Sequence, residues 1–335
     1  MSSDLEIRCR ALVAELALGR PEDVKSVVPL TGGVASDIAR VDLAGHPICM
    51  KFALHRLRVA EAWFAPEHRN RAEYAWLVAA AQAAPGSTPR LLGQSDRLNG
   101  FAMEYIAGPE VTLWKTALLA EAPDRGEAAM VADVLGRIHA AGAAPRFDRA
   151  PFHNARDFHA LRVEPYLLFT ASRHAAVAPR LQSLAQGLDD SRVSLVHGDV
   201  SPKNILFRAG RPILLDAECA TMGDPAFDVA FCLNHLILKS VHLPAALPGL
   251  RGAIRAFWSA YRPHVGWEDA GGLERRVAAL LPALMLARID GKSPVEYLSA
   301  GERVQVRAVS LPLIADPADS LDALLHRLDT TEDAA

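Results

Sequence analysis

The stretch His197-Gly198-Asp199-Val200-Ser201-Pro202-Lys203-Asn204 is the part of the chain richest in chemistry. It is followed by Ile213-Leu214-Leu215-Asp216. Asp199 and Asn204 lie five residues apart on a loop that follows a strand-like run, and Asp216 ends the hairpin after it. The order brings two carboxylates and one amide to one cleft. Phosphoryl transfer needs this set. One carboxylate accepts the proton of the attacking hydroxyl. An amide oxygen and a second carboxylate hold Mg²⁺, which neutralises charge on a triphosphate.

Either aspartate alone would read as a turn or capping residue, since aspartate is common in both. The ordered set reads differently. It resembles the kinase catalytic loop H-x-D-x-x-x-x-N with a metal-binding aspartate downstream. Glycine stands where protein kinases have arginine, and Asp216-Ala217-Glu218 stands in place of D-F-G. With Gly223-Asp224-Pro225-Ala226-Phe227-Asp228 added, the pattern resembles the aminoglycoside phosphotransferase and choline kinase-like family. The likeness spans roughly Val27 to Leu298 and is sharp from Val196 to Asp228. It implies an α+β, bilobal protein-kinase-like fold and ATP- and Mg²⁺-dependent transfer of the γ-phosphate to a small-molecule hydroxyl. Acceptors in that family include antibiotics, choline, homoserine and methylthioribose. The resemblance makes Asp199 the catalytic residue and Asn204 and Asp216 the metal ligands.

The front of the chain supplies the rest. Lys51 ends a strand after a glycine turn, where a lysine can reach the α- and β-phosphates, although a surface lysine at a strand end has the same local sequence. A helix glutamate normally holds such a lysine. Glu73 is the candidate, mid-helix between apolar residues, with Glu61 and Glu67 as rivals. Thr31-Gly32-Gly33-Val34-Ala35-Ser36, from Gly32 and Gly33 through Ser36, would cover the phosphates, the glycines letting backbone N–H groups approach the anion closely. It is neither G-x-G-x-x-G nor a P-loop, and alone it reads as a hairpin turn. Met103-Glu104-Tyr105-Ile106-Ala107-Gly108 looks like a hinge whose main chain at Glu104 and Ile106 would bond the adenine.

Other residues take supporting parts. His197 anchors the loop rather than acting as base. Asp224 and Asp228 cap a helix and pin the loop. Lys203 invites a phosphate-binding role, but protein kinases place their loop lysine where this chain has Ser201, so the role is not carried over. Glu218 could help with metal or water, and His139 reads as a helix-packing residue.

These residues need a scaffold. Leu5–Leu18 has helical spacing and stops near Gly19-Arg20-Pro21. Val24–Leu30, Ile38–Leu43 and Ile48–Ala53 read as strands, with Ala44–Pro47 as a turn. Pro66 opens a helix from Glu67 to Ala83. Arg90–Leu92 and Gly100–Tyr105 are further strands around the turn 95–99. Beyond Ala107-Gly108-Pro109 the chain is mainly helical, clearest at Met130–Ala141 and Pro179–Leu188, with short strands at Val193–Val196, Ile205–Phe207 and Ile213–Leu215. The expected division is an ATP-binding lobe over residues 1–105 and a helical lobe over residues 106–335 carrying the catalytic loop and acceptor site.

The 335 residues suffice for a core without disulfide or metal support, and half of them are hydrophobic. A net charge of −3, from 39 acidic and 36 basic residues, argues against a nucleic-acid partner. Cys9, Cys49, Cys219 and Cys232 form no C-x-x-C pair and read as reduced, buried thiols. There is no signal-peptide pattern, and the longest apolar runs, near Val229–Leu238 and Ala278–Ala287, are too short to span a bilayer. The expectation is a cytoplasmic protein with a small-molecule acceptor and no membrane or nucleic-acid partner. Oligomeric state is not set by the sequence.

Two other readings stand beside the kinase. One is a catalytically inactive nucleotide-binding scaffold, which has no chemical need for Lys51, Asp199, Asn204 and Asp216 together. The other is a protein kinase, for which D-F-G, A-P-E and a long activation segment are missing. Acceptor specificity is expected within Val111–Leu188 and after Val241. Glu268, Asp269, Glu274 and Asp290 could meet a polycation there, although a solvated helix face explains them equally well. The polar run Ala287–Pro294 could border the acceptor.

Overall fold

The front of the chain folds as a five-stranded antiparallel sheet flanked by two helices. In this computed structural model, residues 2–30, 36–43, 45–54, 69–122 and 124–332 are described. The strands are β1 (Ser26–Pro29), β2 (Ser36–Leu43), β3 (His46–Ala53), β4 (Leu91–Ser95) and β5 (Gly100–Glu104), in the order β1-β2-β3-β5-β4. Helix α1 (Ser2–Glu15) covers one face, and α2 (Arg69–Ala83) lies towards the helical part of the molecule.

Side chains alternate across a strand, and β3 uses both sides. Ile48, Met50 and Phe52 join the small core under α1. Cys49 belongs to the large core on the α2 side. Lys51 shares the parity of Cys49, so it too points towards α2. Pro47, expected in a turn, lies within β3 opposite Asp42. Pairing with β5 begins only at Ile48, so the missing Pro47 N–H is not needed by that neighbour.

The remainder is mainly helical. It comprises α3 (Trp114–Leu119), α4 (Glu127–Ala143), α5 (Ala155–Phe158), α6 (Phe169–Arg173), α7 (Ala178–Asp190), α8 (Pro225–His242), α9 (Leu247–Tyr261), α10 (Ala270–Asp290), α11 (Ala300–Ala315) and α12 (Leu321–Glu332). A π-helical segment, His159–Leu168, joins α5 to α6 and contains Pro165. Proline lacks the amide an α-turn would use and crowds the carbonyl four residues back, which favours the wider turn. Helix α8 is buried along nearly its whole length, between α9 and α10. Among the described residues, no helix is long and apolar enough to cross a membrane.

Two small sheets hold the loops. Strands β6 (Val111–Leu113), β8 (Ile205–Arg208) and β9 (Arg211–Leu214) form one, and β7 (Ser194–Val196) pairs with β10 (Thr221–Gly223) in the other. The expected strands after residue 190 are all present. β6 and β10 were not expected, because three residues show no periodicity and their partners lie far along the chain. Helix α10 continues to Asp290, so the first half of the polar run Ala287–Pro294 is helix rather than loop. The helix expected from Glu67 is seen from Arg69. Pro66, Glu67 and Glu61 lie outside the described residues, as do Gly32 and Gly33.

Candidate active site

Lys51 joins the sheet to the helical part. Its ammonium donates to Glu73 Oε1 at 2.8 Å and also to the Asp216 carboxylate. Lys51 and Glu73 are almost wholly buried, whereas the Asp216 side chain keeps 30% of its surface exposed. Burial works against the charge of Lys51, but Asp216 and Glu73 outweigh it and hold the ammonium protonated. Burial alone would raise Asp216. The facing Lys51 and Lys203 reverse this and keep it well below the usual carboxylate range. Of the two carboxyls Glu73 is the weaker acid, pushed up to about 7 by burial that Lys51 only partly offsets.

One face of α2 carries three such links. Arg69 Nε donates to Glu218 Oε2 at 3.0 Å, Glu73 meets Lys51, and Trp76 sets its ring edge to face against His197 at 4.6 Å. These positions are three to four residues apart and so lie on one helical stripe. The Glu218 carboxylate is therefore held by α2.

The raised Glu73 makes stability depend on pH. A carboxyl whose folded value exceeds its ordinary 4.5 contributes stability that is present below that value and lost as pH rises to about 7. Asp216 titrates below this window and Lys51 above it. Wild-type protein is thus expected to lose up to about 3 kcal/mol between about pH 5 and about pH 8 through this group. In Glu73→Gln that loss should vanish. Urea unfolding of both proteins at the two pH values checks it, and an unchanged slope in the variant would count against the assignment.

The His197–Asn204 loop needs its glycine. Gly198 has φ +80°, and a Cβ there would meet the Cys219 Cβ at 2.7 Å. Any larger residue is strained and crowded at once. His197 Nδ1 accepts from the Asp199 N–H at 3.1 Å, so Nε2 carries the proton and donates to the Leu215 carbonyl at 3.1 Å. Burial lowers the His197 pKa, consistent with a neutral anchor. Asp228 receives the N–H groups of His197 at 2.6 Å and Gly198 at 2.8 Å. Its Oδ2 also meets His139 Nε2 at 3.2 Å, and His139 Nδ1 meets the Tyr261 hydroxyl at 2.7 Å. His139 therefore does more than pack. Asp224 caps α8 through the Ala226 N–H at 2.9 Å and pairs with Arg276.

Asp199 is buried between two cations. Arg162 Nη2 lies 3.1 Å from its Oδ2, and Lys203 Nζ lies 3.2 Å from the same atom. Burial would raise Asp199, but Lys203 and Arg162 prevail and lower it. Arg162 comes from the π-helical segment, and its Nε also donates to the Gly198 carbonyl. Sequence reasoning missed this residue. The motif glycine displaces the arginine expected on the loop, and Arg162 brings one from elsewhere. Lys203, to which no role was carried over, reaches Asp199 across one turn.

Asn204 donates its amide to the Asp199 carbonyl at 3.1 Å, leaving its side-chain oxygen uncommitted. That oxygen and the half-open Asp216 carboxylate could hold Mg²⁺. They form an incomplete hard-oxygen set of the kind Mg²⁺ completes with phosphate and water. Among the described residues, no group of three or more His, Cys, Asp or Glu side chains could hold a metal by itself. Asp216 sits at φ +69°, a left-handed conformation aspartate tolerates.

Ser36 is buried at the start of β2, opposite Ala53. Glu104 ends β5, its carboxylate engaged by Arg208 and by the Arg90 N–H and its own N–H donated to the Arg90 carbonyl at 2.8 Å. No hydrogen bond from the described residues reaches the Ile106 main chain. The four carboxylates considered for a polycation do not converge. Glu268 binds Arg276, Asp269 caps α10, Glu274 receives the Leu321 N–H, and Asp290 binds Arg307 and His174.

A five-stranded sheet joined to a helical body, with a lysine–glutamate pair facing the His197–Asn204 loop, is a protein-kinase-like architecture. The chain belongs to the phosphotransferase enzyme family (APH), whose model matches residues 55–264. A search of curated proteins returns no significant match. Solved structures of the same fold include an amicoumacin kinase in complex with AMP-PNP, Ca²⁺ and Ami (16% identity, TM-score 0.57, 97% of this chain and 99% of that one). A choline/ethanolamine kinase family protein from Mesorhizobium loti is similar at 19% identity and TM-score 0.54, over 98% of this chain and 100% of that one. A choline kinase from Streptococcus pneumoniae is similar at 18% identity and TM-score 0.51, over 93% and 99%.

Proposed function

We propose that the protein transfers the γ-phosphate of ATP to a hydroxyl of a small molecule. The observation that carries this reading is the Lys51 ammonium, held between Glu73 and Asp216 beside a loop that presents a buried, ionised Asp199. Residues 1–105 would bind the nucleotide and residues 106–335 the acceptor. Gly32, Gly33 and Ser36 would lie over the phosphates, Lys51 would steady them with Glu73 as its positioning residue, and the main chain at Glu104 and Ile106 would bond the base. Asp216 and Asn204 would hold Mg²⁺, which when bound neutralises charge on the triphosphate. The site for such a reaction belongs in the cytoplasm, with ATP.

In the reaction, the acceptor oxygen forms a bond to the γ-phosphorus and the bond from that phosphorus to the ADP oxygen breaks. The hydroxyl proton passes to Asp199. A carboxylate held low by Arg162 and Lys203 is a weak base, so Asp199 acts first by orienting the hydroxyl and takes its proton late. Most of the acceleration then comes from positioning and charge. Between Asp216 and α8, residues 217–223 are buried and end in β10, which leaves no exposed activation segment for a protein substrate. The complete charged set does not favour an inactive scaffold.

The test is Mg²⁺-dependent ADP formation with a panel of aminoglycosides, macrolides, choline, homoserine, methylthioribose and sugars, beside Asp199→Ala. Acceptor-dependent ADP release that needs Mg²⁺ and disappears in the variant is expected. Failure to bind nucleotide at all would sink the reading.

A further inference from the structure

Beyond Asp199 the helical body buries positive charge that has no negative partner. Tyr166, on the π-helical segment, is the hub. The Arg162 guanidinium lies 6.0 Å from its ring centre and that of Arg288 5.8 Å. Arg288 Nη1 donates to the Tyr166 hydroxyl at 3.2 Å, to the Ser293 hydroxyl at 3.0 Å and to the Ser293 carbonyl. Tyr166 packs on Phe231 at 5.5 Å, and Phe231 on His235 at 5.5 Å. One turn further along α8 is Lys239, 1% exposed. Its ammonium makes one long bond, 3.5 Å, to the His235 carbonyl, and lies 5.0 Å from the Tyr297 ring centre.

Among the described residues, neither Lys239 nor Arg288 has a carboxylate within ion-pair distance. The carboxylates around them are engaged elsewhere: Glu164 by Lys292, Glu296 by Lys115, Glu302 by His242 and Asp290 by Arg307. His235 Nε2, Arg288 Nε and the Tyr297 hydroxyl are buried with no hydrogen-bond partner. Burial, with Lys115 and Arg288 adding to it, pushes Lys239 down to about 7. His235 is held well below its ordinary value by burial and by Arg288, Lys239, Lys203 and Lys115.

Unpaired buried cations and orphaned polar groups are costly and rare in a folded chain. They are explained when a ligand supplies the missing charge. We propose that the acceptor is an anionic alcohol, whose carboxylate or phosphate is taken by Lys239 and Arg288 with His235 and Tyr297 as further polar contacts, while its hydroxyl meets Asp199. The proposal rests on the kinase reading of Asp199. It also reverses the expectation of a polycationic acceptor, since an aminoglycoside or a quaternary ammonium would meet like charge here.

The experiment keeps the two readings apart. Binding of AMP-PNP with Mg²⁺ is measured first, by displacement of a fluorescent nucleotide. Glycerate, glycerol 3-phosphate, glycerol and choline are then titrated calorimetrically into the nucleotide-loaded protein. At least one of the two anions should bind about tenfold or more tightly than glycerol, and choline no better than glycerol. The two anionic arms separate a carboxylate from a phosphate preference. Lys239→Met should lose that advantage yet, at pH 6 where the wild-type lysine is charged, melt at a higher temperature without ligand, because it removes an uncompensated buried charge; a purely structural lysine would lower the melting temperature. Nucleotide binding with no preference for either anion overturns the inference and leaves the kinase standing. So does a Lys239→Met protein that binds the anion like wild type. Loss of nucleotide binding in the wild type would instead strike the kinase reading beneath it.

Discussion

Exchange of Asp199 for alanine or asparagine is expected to lower phosphate transfer by about 10²–10⁴-fold while the KM for ATP moves by less than about threefold. The asymmetry follows from the contacts. Asp199 touches Arg162 and Lys203, and among the described residues no contact joining Lys51, Glu73 and Asp216 depends on its side chain. Lys51, Glu73 and Asp216 keep their mutual contacts in either variant. The loop also survives, because it is fixed by main-chain bonds to His197 and Asp228 and by Arg162 on the Gly198 carbonyl. Asparagine preserves shape but cannot take a proton. If proton acceptance matters, asparagine should be nearly as inactive as alanine. If only orientation matters, asparagine should recover a large part of the rate. Near-full transfer in Asp199→Ala would mean that another group orients the acceptor. The measurement is kcat and KM for ATP at saturating acceptor for all three proteins.

The strand and helix pattern of the front of the chain was legible because its signals are local. Alternation in β3 places Lys51 on the α2 side, and the helical stripe containing Glu73 faces it. The ordered motif likewise announced Asp199, Asn204 and Asp216, which the structure brings to one cleft with Lys51 and Glu73. What stayed hidden depends on distant parts of the chain. Arg162 precedes Asp199 by two helices, a strand and a turn, and a π-helical segment containing Pro165 brings it to the loop. β6 is three residues whose meaning comes from β8, almost a hundred positions later. The acidic residues from Glu268 on stayed ambiguous for the opposite reason. Their types suit a polycation, but each is already engaged by an ion pair, a helix cap or a backbone N–H. Among the described residues, the buried cations without a carboxylate partner, Lys239 and Arg288, lie on α8 and α10 within apolar sequence, where composition hides them.

The second large effect is expected at Asp228, which touches no substrate in the proposed reaction. Its side chain is fully buried and accepts from the N–H groups of His197 and Gly198 and from His139. Asp228→Ala strands two backbone donors and an imidazole in a dry core. Each stranded group costs at least about 1 kcal/mol, and removing one partner of a buried charged network costs about 3–5 kcal/mol, so a loss in that range is expected. At roughly 2–4 °C per kcal/mol for a chain of this class, the melting temperature should fall by about 6–20 °C. The loss should also reach the chemistry, because the freed N–H groups belong to the two residues before Asp199. In the surviving folded protein, kcat should fall more than the affinity for nucleotide. Asp224→Ala separates this from general damage to α8. It removes a cap on the same helix and the Arg276 pair, but no bond to the loop. Its cost should be near that of a lost cap, about 1–2 kcal/mol, with kcat little changed. Equal losses of kcat in the two variants would place the effect in the helix. A loss confined to Asp228→Ala places it in the loop, where one carboxylate on α8 sets the geometry of another three strands away.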